Sequence, residues 1–310
     1  MYVVLGANGR AGSETAHALI ELGKPVRVVL RRPEQAEKWT KLKADVAIGS
    51  IEDVQGLAAA LSDAAGAFLL SPPPVNGDPY RRADEVGNAL AEAVRQARLP
   101  KVVALSSVGA QHETGTGVIA TLNSLEKHLE AAAPSTTFLR PGYFVETWSD
   151  VAPAVIADGV LPSFLEPTKK IPMVSTIDVG RTAARLLNDD FSGKRIVELR
   201  GPQDWSANDV AAAFSRILGR PVETAFVVSK ARAAVLAQEG VSPEVADALL
   251  EMYDGIASGR VEHEEGAEQR RGTVALADAV ERIVRKWERQ AVWLPEAAEF
   301  SSRHPRYNSG

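Results

Sequence analysis

The chain opens on the stretch Val3-Val4-Leu5-Gly6-Ala7-Asn8-Gly9-Arg10-Ala11-Gly12, in which an apolar run leads into three glycines. This order predicts a β-strand, a tight turn and the first turn of a helix. We expect Gly6 to permit the turn, Gly9 to leave room for approaching phosphates, and Gly12 to let the helix pack closely on the sheet. Because a helix N-terminus binds anions, the stretch predicts a site for a dinucleotide pyrophosphate. The spacing is not the commoner Gly-x-Gly-x-x-Gly, and a purely structural turn is the alternative.

A complete β-α-β unit occupies the first 30 or so residues, about the length of a dinucleotide-binding unit. The helix is predicted over residues 10–22, before Gly23, and the second strand over Val26–Leu30. Arg31 and Arg32 follow this strand, near the place where NAD-binding proteins carry an acidic residue for the ribose 2′-hydroxyl. An arginine suits a 2′-phosphate instead. We therefore predict that NADP(H) is preferred over NAD(H), with Arg31 as the main contact; a solvated basic turn is the alternative.

Strands and helices continue to alternate, which is typical of a doubly wound parallel sheet. Further strands are predicted at residues 46–49, 67–70, 102–105, 137–140 and 195–200. Ligands bind such sheets at the carboxyl ends of their strands. The cofactor contacts predicted in this half of the chain are Gly6, Asn8, Gly9, Arg10, Gly12, Arg31, Asp53, Ser71 and Pro72. Of these, Asp53 can also cap the helix that follows it.

The regular alternation ends near residue 150. The sequence predicts an α/β protein with a Rossmann-type domain over residues 1–150, to which residues 176–200 return. A smaller C-terminal α+β lobe is predicted from residues 151–175 and 201–295, with helices near 206–218, 230–238, 243–256 and 275–287 and a strand at 222–228. Its first stretch, 151–167, is apolar with spaced prolines, and no strand is predicted there. Residues 296–310 are predicted to form a polar tail.

The composition excludes several classes of protein. The 310 residues are 45% hydrophobic and 24% charged, with a net charge of −5, which predicts a packed core and no direct nucleic-acid partner. Cysteine is absent, which excludes disulfides and thiolate chemistry. No apolar run reaches the roughly 18 residues of a membrane span, and the first strand begins almost at Met1. We expect a cytoplasmic protein without a membrane partner, a monomer or homodimer acting on a small molecule.

Several motifs together resemble the NmrA-like branch of the atypical short-chain dehydrogenase/reductase family. Besides the glycine stretch, they are Leu105-Ser106-Ser107, Leu139-Arg140-Pro141-Gly142-Tyr143-Phe144, Asp178-Val179-Gly180-Arg181 and Gly201-Pro202. The resemblance implies a Rossmann domain that binds NADP(H) or NAD(H), and a small lobe that closes over the nicotinamide. Members of the family divide into reductases, including quinone and phenolic-substrate reductases, and non-catalytic redox sensors that bind a nucleotide and a regulatory partner.

One departure from the wider family concerns its Tyr-x-x-x-Lys pair, in which the tyrosine protonates the substrate oxygen. None of the five tyrosines has a lysine four residues later, and Asn123 and Lys127 stand where the pair is expected. Asparagine cannot supply a proton at neutral pH. Lys127 is predicted to bind the nicotinamide ribose or act on the substrate oxygen, Ser106 to hydrogen-bond the substrate or nicotinamide, and His112 to donate a proton. A surface lysine, a strand-end cap and an exposed loop histidine are the alternatives.

The remaining predictions concern the nicotinamide end of the site. Pro141, Tyr143 and Phe144 are predicted to contact the cofactor, and an apolar substrate pocket is predicted from Tyr143, Phe144, Trp148 and Met173, with ordinary core packing as the alternative. The other histidines (17, 128, 263 and 304) are scattered, so no metal site is predicted. The acidic stretch 262–268 is predicted to be a solvated face.

The sequence thus leads to two hypotheses of different classes. The first is an NADPH-dependent reductase of a small apolar quinone- or carbonyl-type substrate; a quinone needs less protein acid than a ketone, because its reduced oxygens are stable anions. The second is a regulatory protein that senses NADP(H) without turnover. A sugar-nucleotide epimerase or dehydratase shares the glycine stretch but normally needs the missing tyrosine.

Overall fold

The computed structural model describes residues 1–291, so the tail predicted for 296–310 lies outside the described residues. Its strands are β1 (Tyr2–Leu5), β2 (Val26–Leu30), β3 (Asp45–Ile48), β4 (Gly66–Leu69), β5 (Lys101–Leu105), β6 (Ser135–Pro141), β7 (Tyr143–Phe144), β8 (Val160–Ser163), β9 (Ile171–Val174), β10 (Gly193–Arg200), β11 (Asp204–Trp205), β12 (Glu223–Phe226) and β13 (Glu268–Arg271). Its helices are α1 (Arg10–Glu21), α2 (Glu37–Lys41), α3 (Val54–Leu61), α4 (Pro79–Gln96), α5 (Ala120–Leu129), α6 (Ala152–Asp158), α7 (Thr176–Asn188), α8 (Ala207–Leu218), α9 (Ser229–Gln238), α10 (Pro243–Ser258) and α11 (Leu276–Ala291).

Eight strands form the central sheet, in the order β13-β10-β6-β5-β4-β1-β2-β3. Every neighbouring pair is parallel. Strand β1 lies inside the sheet and is covered on both faces, which explains its continuous apolar run. The chain reverses its direction of winding between β1 and β4, and ligands bind at such a switch point. The Rossmann-type α/β fold predicted from the sequence is confirmed.

Helices cover both faces of the sheet. On one face α3, α4 and α5 bury a core around Leu57, Leu90, Leu125 and Phe138. On the other face α1, α2 and α7 bury a second core, which includes the fully buried Trp39. Helices α1 and α7 approach closely because Gly180 has no side chain; a Cβ there would lie 2.3 Å from the Glu14 carbonyl carbon. These two layers hold the strands, and hence the loops at their carboxyl ends, in fixed positions.

The second lobe has a core of its own, built around Trp148, Met173, Trp205 and Phe214. Two small sheets belong to it: β11-β9-β7, and the parallel pair β12-β8. Helix α8 begins with a capping box, in which Ser206 and Asp209 satisfy each other's backbone N–H groups. Because β7 continues directly from the central strand β6, this lobe starts at the carboxyl edge of the main sheet.

The structure corrects the sequence-based boundaries in two places. Glu268–Arg271, assigned to the second lobe, forms β13 and pairs with β10 at the edge of the main sheet. Its Glu-Gln-Arg-Arg sequence has no apolar alternation, which is why the strand was not predicted. The predicted strand at 222–228 is shortened to Glu223–Phe226 and pairs with β8, which lies in the proline-spaced stretch 151–167, where no strand was predicted.

In the part of the chain that the structure describes, no helix combines the length and apolar character needed to cross a membrane.

Candidate active site

The glycine stretch forms a cradle at the N-terminus of α1. Gly6 has a φ of +66°, a left-handed conformation suited to glycine, and the Gly9 N–H donates to the Gly6 carbonyl over 2.8 Å. A Cβ on Gly12 would lie 2.3 Å from that same carbonyl oxygen. Helix α1 has no side-chain cap at its first turn. Backbone N–H groups are therefore available to an anion at this point, and the cradle fits a pyrophosphate.

Beside this cradle lies a cavity of about 350 Å³, lined by Asn8, Glu34, Gln35, Glu37 and Lys38. The Asn8 side chain is held in place, because its Oδ1 accepts a hydrogen bond of 3.0 Å from the indole N–H of buried Trp39. Arg31 follows β2 at the same edge and is exposed. Within residues 1–291 its guanidinium forms no ion pair, so it is free to bind a phosphate.

Arg10, the charged residue of the glycine stretch, contacts the segment that follows β7. Its guanidinium forms an ion pair with Asp150 and a 3.3 Å hydrogen bond to the Ser149 hydroxyl. Both charged side chains remain partly exposed. The ion pair joins the glycine cradle to the beginning of the second lobe.

The loop after β4, which contains Ser71 and Pro72, also meets the second lobe. Farther along this loop, the Val75 carbonyl accepts a hydrogen bond of 3.2 Å from the Ser242 N–H, and in the first turn of α4 the Tyr80 hydroxyl lies 3.2 Å from Glu251 of α10. The second lobe thus contacts the carboxyl edge of the main sheet at two separate places, at Arg10 and along the segment after β4.

Ser106, directly after β5, belongs to a buried polar network. Its hydroxyl donates to Glu126 of α5 over 2.5 Å, and Glu126 accepts two hydrogen bonds from Arg140 of β6, at 2.8 and 2.6 Å. Burial disfavours the charge of Arg140, but hydrogen bonds and charges from Glu126 and Glu264 outweigh it and raise the pKa of the guanidinium. The hydroxyl proton of Ser106 therefore already forms a hydrogen bond with Glu126. The hydroxyl oxygen of Ser106 can only accept a further hydrogen bond.

The acidic stretch 262–268 was predicted to be a solvated face. The structure corrects this prediction, because two of its side chains are partly buried and make contacts with the main sheet. Glu264 forms an ion pair with Arg140, and its backbone N–H donates to the fully buried Glu198 over 3.0 Å. His263, predicted to be an isolated histidine, pairs with Glu198 and also contacts Arg200. Both β10 and β13 present polar residues to the segment that precedes β13. The side chains of Glu264 and His263 therefore point toward the main sheet. Glu262, Glu265 and Glu268 are exposed, as predicted.

Lys127 and Asn123 lie in a groove of about 210 Å³ on α5, which Glu126, Arg140 and Glu264 also line. Lys127 is exposed and pairs with Glu113, and the Asn123 amide donates to the Ala110 carbonyl over 2.8 Å. No glycine-stretch residue lines this groove. The site roles predicted for Lys127 stay predictions, and this side chain does not line a cavity with the glycine cradle.

His112 lies half-buried in the loop after β5, and among the described residues its Nε2 has no hydrogen-bond partner. Its predicted role as a proton donor is neither supported nor contradicted by a contact and stays a prediction.

The residues after β6 turn toward both lobes. The Pro141 carbonyl accepts a hydrogen bond from the Val108 N–H, and Phe144 packs on the core between α1 and α7. Tyr143 faces the other way, and its hydroxyl lies 3.4 Å from that of Tyr253 of α10. Trp148 and Met173, predicted to line a substrate pocket, are buried in the core of the second lobe, 4% and 0% exposed.

Comparison with known proteins decides the family. The model of the NmrA-like family matches residues 2–273. This chain belongs to the NmrA-like family. The resemblance drawn from the sequence motifs is confirmed.

Relatives of this NmrA-like protein include reductases. An NAD(P)H azoreductase of Xenophilus azovorans is 25% identical over 255 residues, which are 82% of this chain and 86% of the relative. A (4-alkanoyl-5-oxo-2,5-dihydrofuran-3-yl)methyl phosphate reductase of Streptomyces griseus is 30% identical over 254 residues, 81% of this chain and 85% of the relative. The crystal structure of an NADPH-dependent quinone oxidoreductase of Escherichia coli, complexed with NADPH, superposes with a TM-score of 0.73 at 23% identity, covering 92% of this chain and 100% of that one. This last likeness shows the shared fold.

Three residues at this NmrA-like site were not singled out by sequence reasoning: Asp150, Tyr253 and Glu264. Tyr253 lies on an amphipathic helix, where an aromatic residue is an ordinary core residue. Glu264 lies within an acidic run, and Asp150 has no motif around it. Their partners are more than 100 residues away in the chain, so no local pattern could have found them.

Asp53, predicted to contact the cofactor, is the N-cap of α3 and accepts a hydrogen bond of 2.9 Å from the Gly56 N–H. We expect Asp53→Ala to lower the free energy of unfolding by about 1 kcal/mol, the usual value of such a cap. Asp53→Asn should retain most of that stability, because the amide oxygen can accept the same bond. Urea denaturation of the two variants measures the difference. A loss of NADPH affinity in Asp53→Ala without a loss of stability would show instead that the carboxylate contacts the cofactor.

Proposed function

We propose that this NmrA-like protein is an NADPH-dependent reductase of a small apolar quinone- or carbonyl-type acceptor. The observation that carries the proposal is the uncapped N-terminus of α1, which three glycines leave open at the switch point of the sheet. The azoreductase relative is named for its use of NAD(P)H, and the quinone oxidoreductase of the same fold binds NADPH.

The residues present fit a dinucleotide. The N–H groups of the first turn of α1 would hold the pyrophosphate, and Arg31 would bind the 2′-phosphate of the adenosine half. Tyr143 and Phe144 would flank the nicotinamide, because they follow β6 at the same edge of the sheet. When bound, the cofactor supplies a hydride. The second lobe would exclude water from the carboxyl edge of the main sheet through its contacts with Arg10 and with the loop after β4.

The absence of a Tyr-x-x-x-Lys pair favours an acceptor that needs little help from a protein acid. In the structure, Asn123 donates its amide to a backbone carbonyl and Lys127 pairs with Glu113. These contacts support an acceptor that needs neither side chain as its acid. A quinone remains a good acceptor under these conditions, because its two-electron reduced form is stable as an anion.

The test begins with fluorescence titrations of the pure protein with NADPH and NADH. We expect Arg31→Asp to weaken NADPH binding on the order of tenfold to a hundredfold, the value of hydrogen bonds to a charged group, and to affect NADH little. Lys24→Asp makes the same change of charge on an exposed residue just before β2, at the opposite edge of the sheet, and should leave both affinities unchanged.

The second step follows oxidation of NADPH with menadione or a benzoquinone as acceptor. Turnover that Arg31→Asp reduces with NADPH but not with NADH would support the reductase. Tight binding of NADPH without oxidation by any of a panel of quinones and aldehydes would transfer support to the nucleotide sensor. Absence of nucleotide binding would overturn both.

A further inference from the structure

Two tyrosines from different parts of the chain meet at the carboxyl edge of the main sheet. Tyr143 is in β7, directly after the end of β6, and Tyr253 is in α10 of the second lobe. Their hydroxyl oxygens are 3.4 Å apart, and both side chains are half-buried. Among the described residues neither hydroxyl has any other hydrogen-bond partner. A pair of hydroxyls carries two protons and uses only one between them, so one O–H donor is left free.

The surroundings of this tyrosine pair are aromatic and partly polar. The ring of Tyr143 lies 6.1 Å from that of Trp148, and Phe164 meets Tyr253 edge-on at 5.2 Å. Trp148 is 4% exposed, and its indole N–H has no hydrogen-bond partner within residues 1–291. The half-buried rings of Tyr143, Tyr253 and Phe164 would offer a flat aromatic molecule favourable offset and edge-to-face contacts.

Charged groups lie around the tyrosine pair, but among the described residues none of them accepts a hydrogen bond from its free O–H. The charges of Asp150 and Arg10 both act on Tyr143, in opposite directions, and those of Asp150 and Arg232 act on Tyr253. Arg10 and Asp150 are paired with each other, and Arg232 binds two backbone carbonyls and Asp254. The charge of Arg10, a residue of the glycine cradle, thus reaches Tyr143, and the tyrosine pair forms no ion pair itself.

We propose that the hydroxyls of Tyr143 and Tyr253 form the binding site for the substrate oxygen that becomes negatively charged during reduction. This inference rests on the proposed reductase function. A quinone that gains a hydride gains one proton and two electrons, and it leaves as the hydroquinone monoanion while the cofactor is oxidised. The free O–H of the pair donates a hydrogen bond to the developing oxyanion, and the other hydroxyl supports this donor through the hydrogen bond between the two tyrosines. The pair transfers no proton; water protonates the product after its release.

The state of the two phenols agrees with this role. Burial, followed by the neighbouring Tyr253, raises the pKa of Tyr143 well above its usual value. Burial likewise raises the pKa of Tyr253, although its hydrogen bond to Tyr143 opposes the shift. Both phenols stay protonated at neutral pH and can only donate or accept hydrogen bonds. Preorganised donors of this kind stabilise an oxyanion strongly in a water-excluded site. The site requires α10 to pack on β7, and both elements belong to the second lobe.

The test uses 4-nitrophenol, whose anion absorbs visible light and resembles a hydroquinone monoanion. It is titrated into the full-length protein with NADP⁺ present. We expect the wild type to bind the anion and lower its apparent pKa, and Tyr143→Phe or Tyr253→Phe to weaken anion binding by about tenfold to a hundredfold. Tyr2→Phe is the matched control, because its hydroxyl contacts Asn188 at the opposite edge of the sheet. Unfolding midpoints and NADPH affinities confirm that each variant is folded.

The outcomes separate this inference from the proposed reductase function. Anion binding that both phenylalanine variants weaken and Tyr2→Phe does not supports the tyrosine pair, even if no acceptor oxidises NADPH and the reductase proposal fails. Reduction of a quinone with unchanged kcat/KM in both variants, or equal anion binding by the wild type and both variants, overturns the pair and leaves the reductase standing. Failure of the wild type to bind the anion also overturns it.

Discussion

Replacing Arg140 with methionine is expected to lower the free energy of unfolding by about 3–5 kcal/mol, the range for removing one partner of a buried ion pair. The side chains of Arg140 and Glu126 are only 3% and 9% exposed. In the variant, Glu126 keeps the hydroxyl of Ser106 but loses both guanidinium donors. It becomes a buried charge without a counter-charge. Glu264 loses its ion pair with Arg140 as well, which weakens the attachment of the segment before β13 to the main sheet. Chemical denaturation at neutral pH measures the loss.

Two further variants make this prediction specific. Lys127→Met removes an exposed ion pair from α5, the helix that carries Glu126, so the unfolding midpoint of this variant should be nearly unchanged. Adding Glu126→Gln to Arg140→Met removes the buried charge and should recover part of the lost stability. An Arg140→Met protein as stable as the wild type would contradict the account of the network. The Lys127→Met protein also tests the predicted role of Lys127, because unchanged NADPH oxidation would exclude that lysine from the reaction.

Gly12→Ala is expected to have the second large effect, on stability and on nucleotide binding together. The added Cβ would lie 2.3 Å from the Gly6 carbonyl oxygen and 2.7 Å from that of Leu5. Both are backbone atoms of the strand and its turn, so α1 must move away from β1. Overpacking of this kind costs about 3 kcal/mol, the upper end of the usual range. The N–H groups of the cradle move with the helix, and we expect NADPH affinity to fall at least about tenfold.

The control for this variant is another glycine at the same edge of the sheet. Gly49 follows β3, and a Cβ there would meet its nearest neighbour, a methyl group of Val29, at an ordinary 3.6 Å. Gly49→Ala should leave stability within about 1 kcal/mol of the wild type and NADPH affinity unchanged. Thermal unfolding and the fluorescence titration report the two effects separately. If Gly12→Ala bound NADPH as the wild type does, the cradle would be a structural turn and the nucleotide site would have to lie elsewhere.

The parts of this protein that sequence reasoning predicted are those with local signals. The Val-rich strands and the glycines of the first turn lie within a few residues of one another, and their steric requirements are readable from the chain alone. The same holds for caps such as Asp53. By contrast, β13 has a charged sequence and is a strand only because β10 offers it an unpaired edge. The acidic stretch 262–268 looked solvated because its partners, Arg140 and Glu198, lie far away in the sequence.

The sequence by itself determined that the chain is an NmrA-like Rossmann protein, because burial on both faces, the turn and the helix start each impose a local pattern on the residues. It also determined that no tyrosine of the chain is followed by a lysine four residues later. Only the tertiary structure decided which side chains meet: Lys127 with Glu113 rather than with the glycine cradle, Arg10 with Asp150, and Tyr143 with Tyr253. The contact between Arg10 and Asp150 depends on how the two lobes pack against each other. All three contacts come from packing, which joins residues whose separation along the chain leaves no periodic trace.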